Sequence, residues 1–239
     1  MLKTLQRVYG SPVDIEYTIN LGEEGDFVVN LLQCRPLQTC EDEEKVDIPQ
    51  IPEENAVIHI RDCCMGRSRS VKISAVVKVD AFEYYSYPYV EKPSVARAVG
   101  KLNAYFKQKK MSVVLIVPGR IGTSSPELGV PAAFADISGV EAIFEVAYSE
   151  VGYMPELSFG SHMFQDLVEA DILYGAVLED KKRLAYQPEL LDASPNQFLN
   201  ICPEYEELEK MIHVTVFDEI SAELYYDMEK EEALFALGK

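Results

Sequence analysis

The run SVVLIV, residues 112–117, leaves this chain few choices of fold. After Ser112 it holds no polar residue, and it is too short to be a helix. An unbroken apolar stretch of this length is how a strand reads when both of its faces are covered, as in a parallel sheet flanked by helices. The segment before it agrees. PSVARAVGKLNAYFKQKK, residues 93–110, repeats its apolar residues at helical spacing. Pro93 and Ser94 stand at its start, and lysines fill its last turn, where the helix dipole favours positive charge. Strand signals recur at SVKISAVVKVDAF (70–82), VEAIFEVAY (140–148), ILYGAVL (172–178) and MIHVTVF (211–217). Helix signals recur at SHMFQDLVEA (161–170) and over 218–237, where Ile220, Leu224, Met228 and Leu234 share a face. The expected fold class is α/β, a mixed sheet with flanking helices.

Composition narrows the function classes. The 239 residues are 48% apolar, enough for a substantial core, and carry a net charge of −18. That charge argues against a nucleic-acid partner, which calls for a basic face. The acid gathers in EDEE (41–44), EYEELEK (204–210) and DMEKEE (227–232), runs of the kind that form solvated faces. No apolar run is long enough to span a membrane, and no signal peptide precedes the polar start, so a cytoplasmic protein with no membrane partner is expected. Cys34, Cys40, Cys63, Cys64 and Cys202 show no metal-type or paired spacing, which suits reduced thiols.

The N-terminal stretch has a different texture. LKTLQRVYG (2–10) reads as a short helix ending at Gly10. In VDIEYTIN (13–20), Val13, Ile15, Tyr17 and Ile19 alternate with Asp14, Glu16, Thr18 and Asn20, the signature of a half-buried strand. DFVVNLLQCR (26–35) is a second strand, and LGEEG joins the two as a hairpin. A turn centred on Glu24 and Gly25 sets Asp14 opposite Arg35 and Glu16 opposite Gln33, all on one face. Two carboxylates are hard ligands that suit Mg²⁺, and a guanidinium beside them suits a phosphate oxygen. An ordinary cross-strand ion pair gives the same pattern. Residues 39–56 are acidic and proline-bearing, and read as a linker.

The motif P-x-DIEY followed by LLQCRP resembles the end of the ATP-binding domain of phosphoenolpyruvate synthase and pyruvate phosphate dikinase, also called the PEP/pyruvate-binding domain. Relatives read DIEW or DIEF, then LQARP or LQTR; Cys34 departs from the usual small residue. The resemblance implies ATP and Mg²⁺ as cofactors, with Asp14 and Glu16 at Mg-ATP and Gln33 and Arg35 beside the transferred phosphate. The hairpin would then be the remnant of an ATP-grasp-like domain. VARAVGKLN, VPGRIGTSSPELGVP and PELSFGSHMFQDLVEA resemble the C-terminal region of synthase-like proteins with that domain, although Ile121 replaces the tryptophan of PGRWG. On this reading residues 1–38 end the ATP-binding domain, 39–56 are the linker and 57–239 form an α/β module of unassigned role. The chain would be the C-terminal fragment of an ATP-dependent phosphotransferase acting on a pyruvate-like acceptor. It would be inactive alone, its ATP site completed by a separate chain or a preceding half. The alternative is a non-catalytic module that binds a phosphorylated small molecule or a partner subunit.

Candidates also lie in the larger region. PGRIGTSSPELG follows SVVLIV, with Gly119 and Gly122 permitting close backbone approach and Arg120, Thr123, Ser124 and Ser125 offering donors, the make-up of an anion nest or of a tight turn. It lacks the P-loop pattern. In SFGSHMFQDL, Ser161 is a helix N-cap and His162 lies in the first turn. Its likeness to the family's phosphohistidine motif is weak, because Met163 and Phe164 follow where small residues are usual. The two segments are expected to converge on one anion site with Arg120, Ser124, Ser161 and His162 as donors, or merely to pack. His59 and His213 sit in strand-like runs and read as structural. Arg61, Arg67, Arg69 and Lys72 form the one basic cluster, suited to a phosphate or to balancing nearby acid.

Overall fold

The computed structural model describes residues 1–10, 13–22, 25–36, 45–148, 157–159, 161–179, 182–218 and 220–238. The chain divides into two compact units, Met1–Glu43 and Glu44–Lys239.

In the first unit, α1 (Leu2–Tyr9) stops at Gly10, whose φ of 71° is the left-handed cap that glycine tolerates. β1 (Val13–Leu21) and β2 (Phe27–Pro36) form an antiparallel hairpin closed by Gly22 N–H to Asp26 O, 2.8 Å. The register sets Asp14 against Arg35 and Glu16 against Gln33, then slips by one residue at a bulge before pairing Tyr17 with Leu31. Both expected pairs are present, but they depend on the bulge: from Tyr17 to Leu21 the ladder runs one residue out of the expected register.

In the second unit the elements run β3 (Ala56–Arg61), β4 (Cys64–Met65), β5 (Arg69–Lys72), β6 (Ala75–Val79), α2 (Ala81–Ser86), α3 (Pro93–Gln108), β7 (Val113–Pro118), β8 (Ala142–Val146), α4 (His162–Glu169), β9 (Leu173–Val177), β10 (Arg183–Tyr186), α5 (Phe198–Ile201), β11 (Ile212–Val216), β12 (Ala222–Asp227) and β13 (Glu232–Leu237). Two sheets result. One has the order β11-β6-β7-β8-β9-β4, with β6 to β9 mutually parallel and antiparallel strands at both edges. The other, β10-β3-β13-β12-β5, is antiparallel throughout. This is the mixed α/β architecture expected, preceded by the hairpin.

Every residue of β6, β7, β8 and β9 is buried, as the apolar run at 112–117 requires. On one face, Val99, Asn103 and Phe106 of α3 meet Val77, Val113 and Leu115. The other face approaches the second sheet closely: a Cβ on Gly175 of β9 would stand 2.6 Å from the Phe144 ring and 2.8 Å from Ile60 of β3. Glycine there lets the two sheets touch.

Two expectations fail. SVKISAVVKVDAF is not one strand. β5 belongs to the antiparallel sheet and β6 to the parallel one, and the chain changes sheet between them, Ile73 N–H bonding Ala222 O and Ser74 N–H bonding Ser112 O. Asp80 then caps α2 by accepting from Glu83 N–H. The helix expected over 218–237 is instead the β12–β13 hairpin, with Leu224 opposite Phe235 and Asp227 opposite Glu232. Its helix-favouring residues, Met228, Glu229, Lys230 and Glu231, lie in the turn. There Asp227 Oδ1 accepts from Glu229 N–H and Lys230 N–H, and Glu231 takes a φ of 47°. The signal that decides is the burial of Ala222, Leu224 and Tyr226 on one face, a period of two that tertiary packing enforces over local propensity.

Candidate functional site

The hairpin gathers the first group of candidate residues. Arg35 Nε donates to Asp14 Oδ2 at 3.2 Å, both side chains about one third exposed at 32%. Glu16 and Gln33 stand beside them, both exposed. The same face continues through Thr18 and Asn30, whose amide lies 3.5 Å from the threonine hydroxyl. The opposite face pairs Tyr17 with Leu31, Ile19 with Val29 and Leu21 with Phe27. It is largely bare, Leu21 being 83% exposed and Phe27 66%. The hairpin is thus amphipathic, with polar ligands on one side and an apolar surface on the other. Among the described residues no three His, Cys, Asp or Glu side chains assemble into a metal cluster. Asp14 and Glu16 therefore offer two carboxylates, a number that suits Mg²⁺, which keeps waters and substrate phosphates in its remaining positions.

The second group lies in the larger unit. The loop after β7 is a tight ribbon: Gly119 bridges Gly129, Arg120 N–H bonds Leu128 O, and Gly122 N–H bonds Val130 O. It meets the segment before α4. Ser158 Oγ lies 3.3 Å from Ile121 O, and a Cβ on Gly122 would stand 2.3 Å from Met163 Cε. At the meeting point sits Glu145 of β8, 0% exposed. Its Oε1 accepts from Ile121 N–H at 2.8 Å, and its Oε2 accepts from Ser158 N–H and Tyr174 Oη at 2.7 Å each. Ser158 Oγ is also hydrogen-bonded to it. Burial pushes the Glu145 carboxyl above its ordinary range, against the hydrogen bonds that pull it down. The backbone donors of the two loops are thus already directed at a carboxylate of the protein's own.

Around this junction, Ser161 caps α4: its Oγ donates to Ser158 O at 2.7 Å and accepts from Phe164 N–H at 3.2 Å. His162 is exposed at the first helical position, Ser124 is exposed at the tip of the β7 loop, and Arg120 is half-buried. Pro155 and Glu156, at the start of the expected second loop, lie outside the described residues.

A third constellation was not anticipated from the sequence. Lys92, at the N-cap of α3, is 4% exposed. Its Nζ lies 4.6 Å from the ring centre of Tyr84 and 5.2 Å from that of Tyr85. Burial lowers its pKa, and the charge of Glu127 offsets part of that. The Tyr84 hydroxyl donates to Gly129 O at 2.6 Å, and Tyr85 stacks on Tyr148 at 5.8 Å. Gly119, with φ 62°, is held to glycine because a Cβ would stand 2.4 Å from Tyr85 Oη. The signals available were a lysine directly before the helix-opening Pro93 and a lone acid, Glu145, inside an apolar run.

The remaining candidates are committed to structure. His59 Nε2 is 2.7 Å from Glu232, and Arg61 donates to the same carboxylate at 2.9 Å. Against desolvation, these two bonds hold Glu232 below the usual carboxylate range. Arg69 bridges Glu141, at 2.8 Å, and Asp171; Arg67 also reaches Asp171. The basic cluster thus balances local acid. Burial, and then Lys78, lower the His213 pKa, and Lys78 itself pairs with Asp192.

No curated protein and no solved structure matches this chain. A family model matches residues 1–56, the AMP/ATP-binding domain of pyruvate phosphate dikinase, so α1 and the β1–β2 hairpin with its four polar residues fall within a segment similar to a nucleotide-binding domain.

Proposed function

We propose that the polar face of the β1–β2 hairpin is one wall of a nucleotide-phosphate site in an ATP-dependent phosphotransferase of the pyruvate phosphate dikinase and phosphoenolpyruvate synthase type. One observation carries the reading: within the family-matched segment, the hairpin register brings Asp14, Glu16, Gln33 and Arg35 onto a single face. Asp14 and Glu16 would hold Mg²⁺, which supplies charge neutralisation at the phosphates when bound. Arg35 would take a phosphate oxygen with its guanidinium while staying tethered to Asp14, and Gln33 would orient the phosphate through its amide. The other walls would come from polypeptide facing the polar side, with a further layer seated on the apolar face. A two-stranded hairpin is marginal by itself, and a bare surface running from Tyr17 to Phe27 calls for such a layer. The hairpin would thus be the end of the ATP-binding domain, and the residues from about 57 onward a separate α/β module in the same protein.

The test is a titration of ATP into the full chain, with and without Mg²⁺, followed by backbone and side-chain NMR. Shifts confined to Asp14, Glu16, Gln33, Arg35 and their neighbours, dependent on Mg²⁺ and lost in Arg35→Ala, are the expected result. No shift at these residues at millimolar nucleotide, or the same shifts in Arg35→Ala, would refute the reading.

A further inference from the structure

A lysine that is 4% exposed presents a physical problem. An ammonium removed from water needs an opposite charge or a set of acceptors, and buried lysines are ordinarily paired. Lys78 of β6 follows that rule, with Asp192 Oδ1 at 2.5 Å. Lys92 does not. Among the described residues it makes no direct ion pair; its close neighbours are the faces of Tyr84 and Tyr85, and the charge of Glu127 offsets only part of the cost of burial. It also occupies the N-cap of the 16-residue α3, where the helix dipole disfavours positive charge.

Its location is that of a ligand site. α2, which carries Tyr84 and Tyr85, follows β6; Gly119 and Arg120 follow β7; Tyr148 follows β8. All three lie beyond the carboxyl ends of parallel strands, where ligands of open α/β sheets gather. The close approach of Gly119 to Tyr85 Oη and the Tyr85–Tyr148 stack tie these segments together around the ring that Lys92 covers. The helix N-terminus and the ammonium both favour the same kind of guest, an anion.

We propose that Lys92 anchors an oxyanion-binding site at the carboxyl edge of the parallel sheet, with the Tyr84 and Tyr85 rings as its floor and Arg120 as the second cation of the same loop cluster. The ligand class is a compact molecule bearing a phosphate or a carboxylate. The site is built from residues of Glu44–Lys239 and does not depend on the hairpin reading.

The experiment follows the Lys92 side chain by NMR while the full chain is titrated with inorganic phosphate and, separately, acetate, with chloride at matched ionic strength as the control. Either anion should raise the Lys92 pKa by about one unit or more, as an opposite charge brought within contact does, and should raise the thermal midpoint. A response to phosphate alone assigns a phosphate-bearing ligand, and a response to acetate alone a carboxylate. Lys92→Met, which keeps the length of the chain over the tyrosines, should weaken the anion response about tenfold or more. The proposal is overturned if neither anion moves the Lys92 titration beyond chloride, or if Lys92→Met responds as the native chain does. Should Lys92→Met not fold, the titration of Lys92 in the native chain decides alone.

Discussion

Arg35 Nε donates to Asp14 Oδ2 across the hairpin at 3.2 Å, and the pair stands beside Glu16 and Gln33. As a stability element this ion pair is minor: both side chains are one third exposed. Its importance is positional, since it holds the guanidinium on the strand face that also carries Glu16 and Gln33.

Arg35→Ala should therefore change folding stability by less than about 1 kcal/mol, the range of a surface ion pair. Urea unfolding of the native and variant chains checks this. A loss several times larger would show that Arg35 is a structural residue of the hairpin.

The chain by itself should not turn over ATP. Phosphoryl transfer depends on positioning and charge stabilisation from several sides at once, and on the proposed reading the hairpin would supply one side. Release of ADP, AMP or phosphate by purified protein, measured over hours against Arg35→Ala, should stay at background. Steady turnover abolished by that substitution would contradict the account of an incomplete site.

His162 should accept no phosphoryl group. It is exposed at the start of α4 and is followed by Met163 and Phe164, which pack against the core. Mass spectrometry under alkaline conditions, after incubation with ATP or phosphoenolpyruvate, should leave its peptide unmodified. A phosphate mapped to His162 would overturn this.

Glu145 should be among the most sensitive positions of the larger unit. Glu145→Gln turns an amide NH₂ towards Ile121 N–H or Ser158 N–H, leaving a buried donor unmatched at a cost of about 1–3 kcal/mol. The pH dependence has a definite sign. Burial raises the Glu145 pKa on folding, so the folded state holds that proton more tightly than the unfolded chain does. The residue's contribution to stability is greatest below the unfolded carboxylate value of about 4.3, and it falls as pH rises through the folded pKa. Unfolding free energies at several pH values should show this slope in the native chain and not in Glu145→Gln; an identical slope in both would contradict it.

How much of this was legible follows from what each signal depends on. Val113–Val117 could be read as a buried strand because both of its faces are covered, so no alternation dilutes the run. The shared face of Asp14 and Glu16 could be read from strand alternation, but their pairing with Arg35 and Gln33 depends on a bulge after Glu16 that the sequence did not signal. The fate of 218–237 was not local. Its turn is made of good helix formers, and only packing on the second sheet selects the period of two. The chain's change of sheet at Ile73 and Ser74 is likewise a tertiary choice. Glu145 and Lys92 were missed for a related reason. A single charged residue in an apolar run or at a helix start says nothing of the donors, rings and loops that the fold brings to it.

The measurement that bears most directly on the central claim is nucleotide binding by the full chain. ATP with Mg²⁺ should perturb the NMR signals of Asp14, Glu16, Gln33 and Arg35 more strongly than ATP with a chelator, and Arg35→Ala should abolish the difference. Signals that stay unmoved by millimolar Mg-ATP, or move equally with and without the metal, would contradict the assignment of the hairpin as a nucleotide-phosphate wall.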